Sequence, residues 1–259
     1  MIFYLSGTGN TLWAAKAIAK ATGEKLICIL DKDCTRTQYP LEKNERIGFC
    51  FPVHGWRPPK ALRKFISQLS FDDAKPHYSF ALCTAGDTIG EAIKILRNDL
   101  ASRNIHLDSA FSIIMPESYV GLPFMDIDTP ENEKQKKDKA AKDIERFAQL
   151  IAKRQKNIEE LTIGRWPKVN SRLIGGFFTK YMITDKPFHV TAKKCVGCGL
   201  CASSCPTGNI SLLNNNPQWR HDSSCLACFA CYHHCPNHAI EYGRMTEHKG
   251  QYYFNKVKK

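Results

Sequence analysis

The chain has 259 residues, of which 43% are hydrophobic and 24% charged, and its formal net charge is +12. This composition predicts folded domains and excludes a disordered chain, and a prior of about 150 residues per domain predicts one large or two modest domains. No apolar run approaches the ~20 residues that a membrane-spanning helix needs, so no transmembrane segment is expected. No basic region precedes the apolar residues 1–5, so a secretory signal is not expected and the predicted location is cytoplasmic.

The positive charge is concentrated in two segments. Residues 151–180 contain seven lysines and arginines against two acidic residues, and residues 243–259 contain five against one. Neither segment has the pattern of a nucleic-acid-binding module, so nucleic acid is not an expected partner. A solvated linker and tail explains the charge. Docking to an acidic partner and offset of anionic cofactors are the alternatives.

Residues 1–157 alternate apolar strands with amphipathic helices. Strands are predicted at 1–5, 25–30, 46–51, 78–83 and 110–115, and helices at 10–22, 58–69, 88–103 and 131–156. The strands are near-continuous apolar runs, as expected when both faces of a parallel sheet are covered. The pattern therefore predicts a doubly wound α/β domain with a five-stranded parallel sheet. Residues 31–45 lack a helical pattern, which predicts a loop or a single turn there.

The rest of the chain divides into a connection, a second domain and a tail. The connection, 158–187, contains seven large apolar residues: Trp166, Leu173, Ile174, Phe177, Phe178, Tyr181 and Met182. A flexible tether would not expose so many, so we expect part of it to be helical and to pack against both domains. The second domain is predicted at 188–242. The basic tail, 243–259, carries three aromatic residues and is expected to pack rather than extend into solvent.

A glycine-rich loop, Ser6-Gly7-Thr8-Gly9-Asn10-Thr11, joins the first predicted strand to the first helix. Backbone N–H groups at a helix N-terminus bind phosphate. The G-K-[ST] ending of a P-loop is missing, and Leu12 occupies the place of the third glycine of a dinucleotide fingerprint. Hydroxyl groups at positions 6, 8 and 11 suit a phosphate monoester. The loop therefore predicts a mononucleotide site.

This loop and the strand pattern resemble the flavodoxins. The resemblance implies that Ser6, Gly7, Thr8, Gly9, Asn10 and Thr11 hold the phosphate of FMN at the carboxyl ends of the strands. It implies that the isoalloxazine ring is lined by Pro52, Val53, His54, Gly55 and Trp56 after the third strand and by Thr84, Ala85, Gly86 and Asp87 after the fourth. Trp56 or His54 would stack on the ring. The alternative for Trp56 is a surface or domain-contact position.

An apolar loop follows the fifth predicted strand. It contains Met115-Pro116-Glu117-Ser118-Tyr119, and then Leu122, Phe124 and Met125. The loop would open at the same edge of the sheet as the flavin. A lid, a substrate wall, a seat for the second domain and plain loop packing remain alternative interpretations.

Eight of the twelve cysteines form a short repeat. Cys195-x2-Cys198-x2-Cys201-x3-Cys205-Pro206 recurs with an offset of 30 residues as Cys225-x2-Cys228-x2-Cys231-x3-Cys235-Pro236. Thiolates are the ligands that iron–sulfur clusters require. Zinc is the competing metal, but a zinc site needs neither three-cysteine runs nor a Cys-Pro ending. A disulfide scaffold would not suit a chain with no secretory signal. The cysteines Cys28, Cys50 and Cys83 lie in apolar strands and are expected to be structural.

The repeat resembles the bacterial two-cluster ferredoxins, with every motif position filled. In those proteins the fourth cysteine of each run ligates the other cluster. The resemblance therefore implies one 4Fe-4S cluster on Cys195, Cys198, Cys201 and Cys235, and a second on Cys225, Cys228, Cys231 and Cys205. Gly197 and Gly199 fit the tight first loop. Ala227 and Phe229 take their places in the second, where a shift in hydrogen bonding is expected.

Together, the two halves resemble the flavodoxin–ferredoxin fusion proteins of anaerobic bacteria and archaea, often called EFR-type ferredoxins. The resemblance implies an α/β flavodoxin-like domain followed by a small α+β ferredoxin domain. It also implies intracellular electron transfer between two 4Fe-4S clusters and FMN, with a redox protein or a small-molecule acceptor as partner. The alternative is an FMN-dependent reductase of a small molecule or quinone that receives electrons from its own clusters.

Overall fold

A computed structural model describes residues 1–31, 37–72 and 77–256 of the chain. The strands of the N-terminal half are Ile2–Tyr4 (β1), Leu26–Cys28 (β2), Gln38–Tyr39 (β3), Ile47–Pro52 (β4), Ser70–Phe71 (β5), Ser79–Ala85 (β6), Ser109–Ile114 (β7) and Ile158–Glu160 (β8). Its helices are Asn10–Thr22 (α1), Lys60–Gln68 (α2), Ala92–Ala101 (α3) and Pro130–Ala152 (α4). Residues 32–36 of the predicted second crossover lie outside the described residues. The described part of that crossover contains the short strand β3.

Within the described residues, the main sheet has six parallel strands in the order β2-β1-β4-β6-β7-β8. The prediction of five strands is wrong, because it missed one strand at the edge of the sheet. The additional strand, β8, pairs with Ser109–Phe111 but contains only one apolar residue, Ile158, followed by Glu159 and Glu160. An edge strand needs no continuous apolar run because one side of it faces solvent, so the sequence pattern did not reveal it.

The sheet is covered on both faces, as the apolar strands predict. Successive residues of β4 and β6 alternate between two cores, as the period of a strand requires. One core includes Phe49 and Phe51 under α2 and α3, and the other includes Phe80 and Phe111 under α1 and α4. This double coverage fixes the carboxyl ends of β1, β4 and β6 side by side, where ligands of such sheets bind.

The connection between the domains contains a helix at residues 167–182, which we call the connecting helix. It consists of π-helical turns at Val169–Ile174 and Phe178–Met182 with Gly175–Phe177 (α5) between them. Ser171 and Gly175 are buried against the N-terminal domain, and the carbonyl of Met182 accepts a hydrogen bond from Tyr242 of the C-terminal domain. Contrary to the expectation that packing covers the apolar residues of the connection, five of the seven are exposed: Trp166, Leu173, Ile174, Phe177 and Tyr181.

The C-terminal domain is a small α+β unit with two-fold repetition. Phe188–Val190 (β9) pairs antiparallel with Ile240–Tyr242 (β12), and Ile210–Leu213 (β10) pairs with Asn216–Trp219 (β11). Each cysteine run ends in a single helical turn, Leu200–Ser203 (α6) or Ala230–His233 (α7). The centre is aromatic, with the buried Phe229 in contact with Phe188 and Tyr242.

The described part of the tail returns to the N-terminal domain. Tyr252 is buried, and the ring of Phe254 lies 5.3 Å from that of Trp13 on α1. The tail therefore packs across both domains rather than extending into solvent. Of the helices that the structure describes, none has both the length and the apolar character needed to cross a bilayer.

We predict that Gly48→Ala destabilises the sheet. A Cβ at this position of β4 would collide with the ring of Phe80 on the neighbouring strand β6. Overpacking of this kind costs about 1–3 kcal/mol, so the urea midpoint of unfolding should fall. Gly176→Ala is the matched control, because the nearest atom to its new methyl group is 4.0 Å away. Equal midpoints for the two variants would contradict the packing.

Candidate redox site

The first set of cysteines surrounds one small cavity in the C-terminal domain. Cys195, Cys198 and Cys201 come from the first run, and Cys235 reaches the same cavity from the second. Burial, together with the neighbouring Cys235 and Cys195, raises the pKa of Cys201 to about 11. Among the described residues, no three candidate ligands converge closely enough to hold a single ion. The four thiols instead line one shared cavity.

The second set of cysteines likewise combines three residues of one run with one residue of the other. Burial raises the pKa of Cys225 to about 12 and that of Cys228 to about 11, and the nearby Cys205 of the first run adds to both shifts. Cys231 is also buried beside Cys228, Cys225 and Cys205, and its pKa is raised well above the usual value. Such thiols stay protonated until a metal displaces the proton, so cluster assembly would release protons here.

The two cysteine loops have the same backbone conformation despite their different residues. The φ angles are 67° and 75° at Gly197 and Gly199, and 48° and 59° at Ala227 and Phe229. The backbone path is thus retained where the sequence lacks glycine, with a local cost of about 1–3 kcal/mol for each left-handed residue. Burial of the Phe229 ring among aromatic neighbours offsets this cost. The Ala227 N–H donates to Cys225 Sγ at 3.3 Å.

A second, larger cavity of about 440 Å³ opens at the carboxyl ends of β1, β4 and β6. Every residue predicted to bind FMN lines it except Gly9: Ser6, Gly7, Thr8, Asn10, Thr11, Pro52, Val53, His54, Gly55, Trp56, Thr84, Ala85, Gly86 and Asp87. The sheet thus brings together three loops that are distant in sequence. The volume lies within the range of about 300–1,000 Å³ that is typical of small-molecule sites.

Hydrogen bonds to β6 and to the loop after β7 hold the glycine-rich loop in place. Gly9, with φ of 97°, is the N-cap of α1, and the Thr11 hydroxyl shares a 2.7 Å hydrogen bond with that of Thr84. Asn10 donates through Nδ2 to the Pro116 carbonyl at 3.1 Å. The side chains of Asn10 and Thr11 therefore hold the loop in position. This leaves the backbone N–H groups at the start of α1 as the part suited to an anion.

The loop after β4 turns sharply beside the cavity. His54 and Arg57 exchange backbone hydrogen bonds, and the two residues between them, Gly55 and Trp56, have φ of 55° and 58°. The Trp56 indole N–H donates to Thr88 Oγ1 at 3.0 Å, which fixes the plane of the ring. Burial lowers the pKa of His54 to about 4, so this cavity residue is neutral at physiological pH.

The loop after β7 supplies two partly buried titratable groups, Glu117 and Tyr119. The Glu117 carboxylate accepts from the N–H groups of Ser118 and Tyr119 at 2.8 Å each, and burial raises its pKa. A Cβ at Gly86 would collide with this carboxylate, so a larger residue there would displace the Glu117 side chain. The Tyr119 hydroxyl is buried without a hydrogen-bond partner among the described residues. This loop therefore forms a wall of the cavity and also a seat for the C-terminal domain, because the Tyr119 ring packs edge-on against that of Phe229.

The C-terminal domain also contributes to this cavity, which sequence reasoning did not reveal. Leu226, Ala227 and Cys228 line it, and Cys228 packs directly on the glycine-rich loop. A Cβ at Gly7 would lie only 2.7 Å from Cys228 Cβ. The second cysteine set is therefore in contact with the predicted phosphate site. The absence of a side chain at position 7 was the only sequence signal, and it did not indicate what approaches it.

The tail and the connecting helix complete the surroundings of the cavity. The Tyr252 hydroxyl donates to Asn10 Oδ1 at 2.7 Å, and the Phe254 N–H donates to the Thr8 carbonyl at 2.8 Å. The connecting helix adds four apolar residues to the lining: Ile174, Phe177, Phe178 and Met182. The sequence pattern predicted that the connection packs against both domains and that the tail packs, but it did not indicate that either segment borders the cavity.

Comparison with known families gives one match. Residues 194–240, which contain all eight clustered cysteines, match the family described as the 4Fe-4S dicluster domain. Comparison with curated proteins gives no match. The C-terminal segment is therefore a 4Fe-4S dicluster domain, a domain that supports iron–sulfur electron transfer. This confirms the iron–sulfur prediction over the zinc alternative.

We predict that Cys205→Ala removes the second cluster although it alters the first run. Iron should fall from about eight to about four atoms per chain. The remaining cluster should have the same electron paramagnetic resonance spectrum as that of Cys225→Ala, and a different one from that of Cys201→Ala. Cys28→Ala, in strand β2, is the control that should keep all the iron. A spectrum of Cys205→Ala that matches Cys201→Ala instead would exclude the crossed ligand sets.

Proposed function

We propose that the protein transfers electrons between two 4Fe-4S clusters and an FMN bound in the larger cavity. The observation that carries this proposal is the contact between Cys228 and Gly7, because it joins a cluster ligand to the predicted phosphate loop. Electron tunnelling weakens steeply with distance, so a shared wall between the two sites favours transfer within one molecule. A redox protein or a small-molecule acceptor would be the external partner.

The lining of the cavity supports FMN as the ligand. One end combines the start of α1 with Ser6 and Thr8, which suits a phosphate. The remainder contains Trp56, Phe178 and Tyr119, which suit a flat, largely apolar ring. FMN would supply a group that accepts one or two electrons, whereas each cluster exchanges one. The protein would supply the orientation and exclude water.

The two cysteine sets differ in exposure, which suggests the order of transfer. Cys198 is exposed and Val196, two residues before it, is 68% exposed, so the first cluster would meet an external donor. Cys231 of the second set is buried, and Cys228 faces the larger cavity. We infer the path from the first cluster to the second and then to FMN.

The second candidate is an FMN-dependent reductase. It is favoured by the buried Tyr119 hydroxyl, which has no hydrogen-bond partner among the described residues, and by Glu117, whose pKa is raised by burial. Both groups line the same cavity as Phe124, which is 83% exposed at its mouth. At an open cavity, these two groups would donate the protons that reduction of a small molecule or quinone requires.

The two candidates differ in the expected effect of Tyr119→Phe and Glu117→Gln. In a reductase, both variants should lower kcat for quinone reduction by about 10²–10⁴-fold, as for the loss of a general acid. In a carrier, reduction of a protein acceptor such as cytochrome c should be unchanged. Steady-state assays with both acceptors distinguish the cases, provided that FMN content is equal in all samples.

We predict that Thr8→Glu abolishes FMN binding. The added carboxylate would lie against the phosphate at the start of α1, where a second negative charge repels it. The measurement is flavin content after anaerobic reconstitution. Ser67→Glu, an exposed position on α2, adds the same charge away from the cavity and should bind FMN normally. Full FMN occupancy in Thr8→Glu would overturn the proposed site.

We also predict that electrons reach FMN within one molecule. In anaerobic stopped-flow mixing with a low-potential donor, the rate of flavin reduction should not change with protein concentration. Cys198→Ser should slow this reduction by damaging the exposed cluster, while FMN stays bound. Cys28→Ser is the control. A rate that rises in proportion to protein concentration would mean transfer between molecules and would contradict the proposed path.

A further inference from the structure

The connecting helix has an exposed apolar face with a regular spacing. Val169, Leu173, Phe177 and Tyr181 follow one another at intervals of four residues, and we call them the apolar ridge. Leu173 is 71% exposed and Phe177 59%. Because a π-helical turn contains more residues than an α-helical one, a four-residue interval stays close to one face. Exposed apolar patches of this kind mark interaction sites.

A row of cations accompanies the apolar ridge. Lys168, Arg172 and Lys180 each precede a ridge residue by one position, and Arg165 precedes Trp166. Residues 161–184 contain these four basic residues and no acidic one. Arg165 and Lys180 lie over the rings of Trp166 and Tyr181 at 5.4 and 5.0 Å. An aromatic ring with an adjacent cation therefore stands near each end of the helix.

The opposite face holds the helix rigidly in this orientation. The Ser171 hydroxyl donates to the Trp56 carbonyl at 2.9 Å and accepts from the Glu91 N–H at 2.8 Å. Gly175 packs so closely on Gly55 that a Cβ would collide with its carbonyl oxygen. Arg172 forms a bidentate ion pair with Glu91 at 2.7 and 3.0 Å. The helix therefore cannot rotate to bury its apolar ridge.

We propose that the connecting helix binds the surface of an anionic lipid bilayer, with the apolar ridge in the interface and Arg165, Lys168 and Lys180 at the headgroups, since Arg172 is held by Glu91. Interfacial helices combine an apolar face, flanking Lys and Arg, and Trp or Tyr anchors in this way. A second copy of the chain is disfavoured because it would bring two cationic rows together.

The cavity mouth would then face the lipid. Ile174 and Phe177 belong both to the exposed face of the helix and to the lining of the larger cavity. Phe124 lines the same cavity and is the most exposed large apolar side chain among the described residues. Docking through this face would therefore bring the mouth of the cavity to the bilayer surface. Lipid binding itself does not depend on the identity of the cavity ligand.

The test is co-sedimentation of the anaerobically reconstituted protein with vesicles. We expect binding to phosphatidylcholine vesicles that contain phosphatidylglycerol, weaker binding to phosphatidylcholine alone, and loss of binding in high salt. Leu173→Ser with Tyr181→Ser should abolish binding. Lys168→Ser with Lys180→Ser should weaken it by about five-fold for each residue removed. Neither pair lines the larger cavity, so iron and FMN contents serve as checks on folding.

The control variants remove exposed residues of the same kinds outside the connecting helix. Leu213→Ser with Met245→Ser removes two other exposed apolar side chains, and Lys60→Ser with Lys64→Ser removes two other exposed cations. Both should bind vesicles as the parent does. The proposal is overturned by no binding of the parent to anionic vesicles or by equal binding of the ridge variant. A parent dimer that the ridge variant converts to a monomer would also overturn it, because a second copy would then cover the ridge.

Discussion

Gly7 and Cys228 lie so close together that only a residue without a side chain fits at position 7. This contact joins the glycine-rich loop of the sheet to the second cysteine loop, and the rest of the site is arranged around it. The parallel sheet fixes the glycine-rich loop at the carboxyl end of β1. The left-handed residues Ala227 and Phe229 turn the cysteine loop toward it. The strained residues Ala227 and Phe229 thus flank Cys228, whose contact with Gly7 is the basis of the proposed electron path.

A single histidine strengthens the same junction. His233, at the end of α7, donates through Nε2–H to the Ser118 carbonyl at 2.7 Å, and its Nδ1 accepts from the Tyr252 N–H at 3.1 Å. Burial lowers its pKa to about 3, which keeps the ring neutral so that one nitrogen donates and the other accepts. One side chain thus connects the dicluster domain, a wall of the cavity and the tail. The two domains share buried polar contacts rather than only a tether.

Sequence patterns within short segments correctly predicted the helix α1 and the dicluster domain, because both depend on residues that are close together in the chain. The bounds of α1 agree with the prediction, because an apolar stripe and the glycines at positions 9 and 23 define them. The cysteine spacing predicted the dicluster domain because each ligand run is a local loop. The edge strand β8 and the exposure of Leu173 escaped prediction because each depends on which surface the rest of the chain covers. The contact of Cys228 with Gly7 joins residues that are 221 positions apart, and no local pattern encodes it.

The proposed donor and acceptor surfaces are separate on the molecule. Cys198 and Val196 belong to the cavity of the first cysteine set, and Phe124 and Phe177 to the larger cavity, and the two linings have no residue in common. A donor at the first cluster would therefore not obstruct an acceptor or a bilayer at the cavity mouth. The second cysteine set lies between them, since Cys205 comes from the first run while Cys228 reaches the larger cavity. Crossed ligation would thus let a domain of about 50 residues connect two separate surfaces without a conformational change.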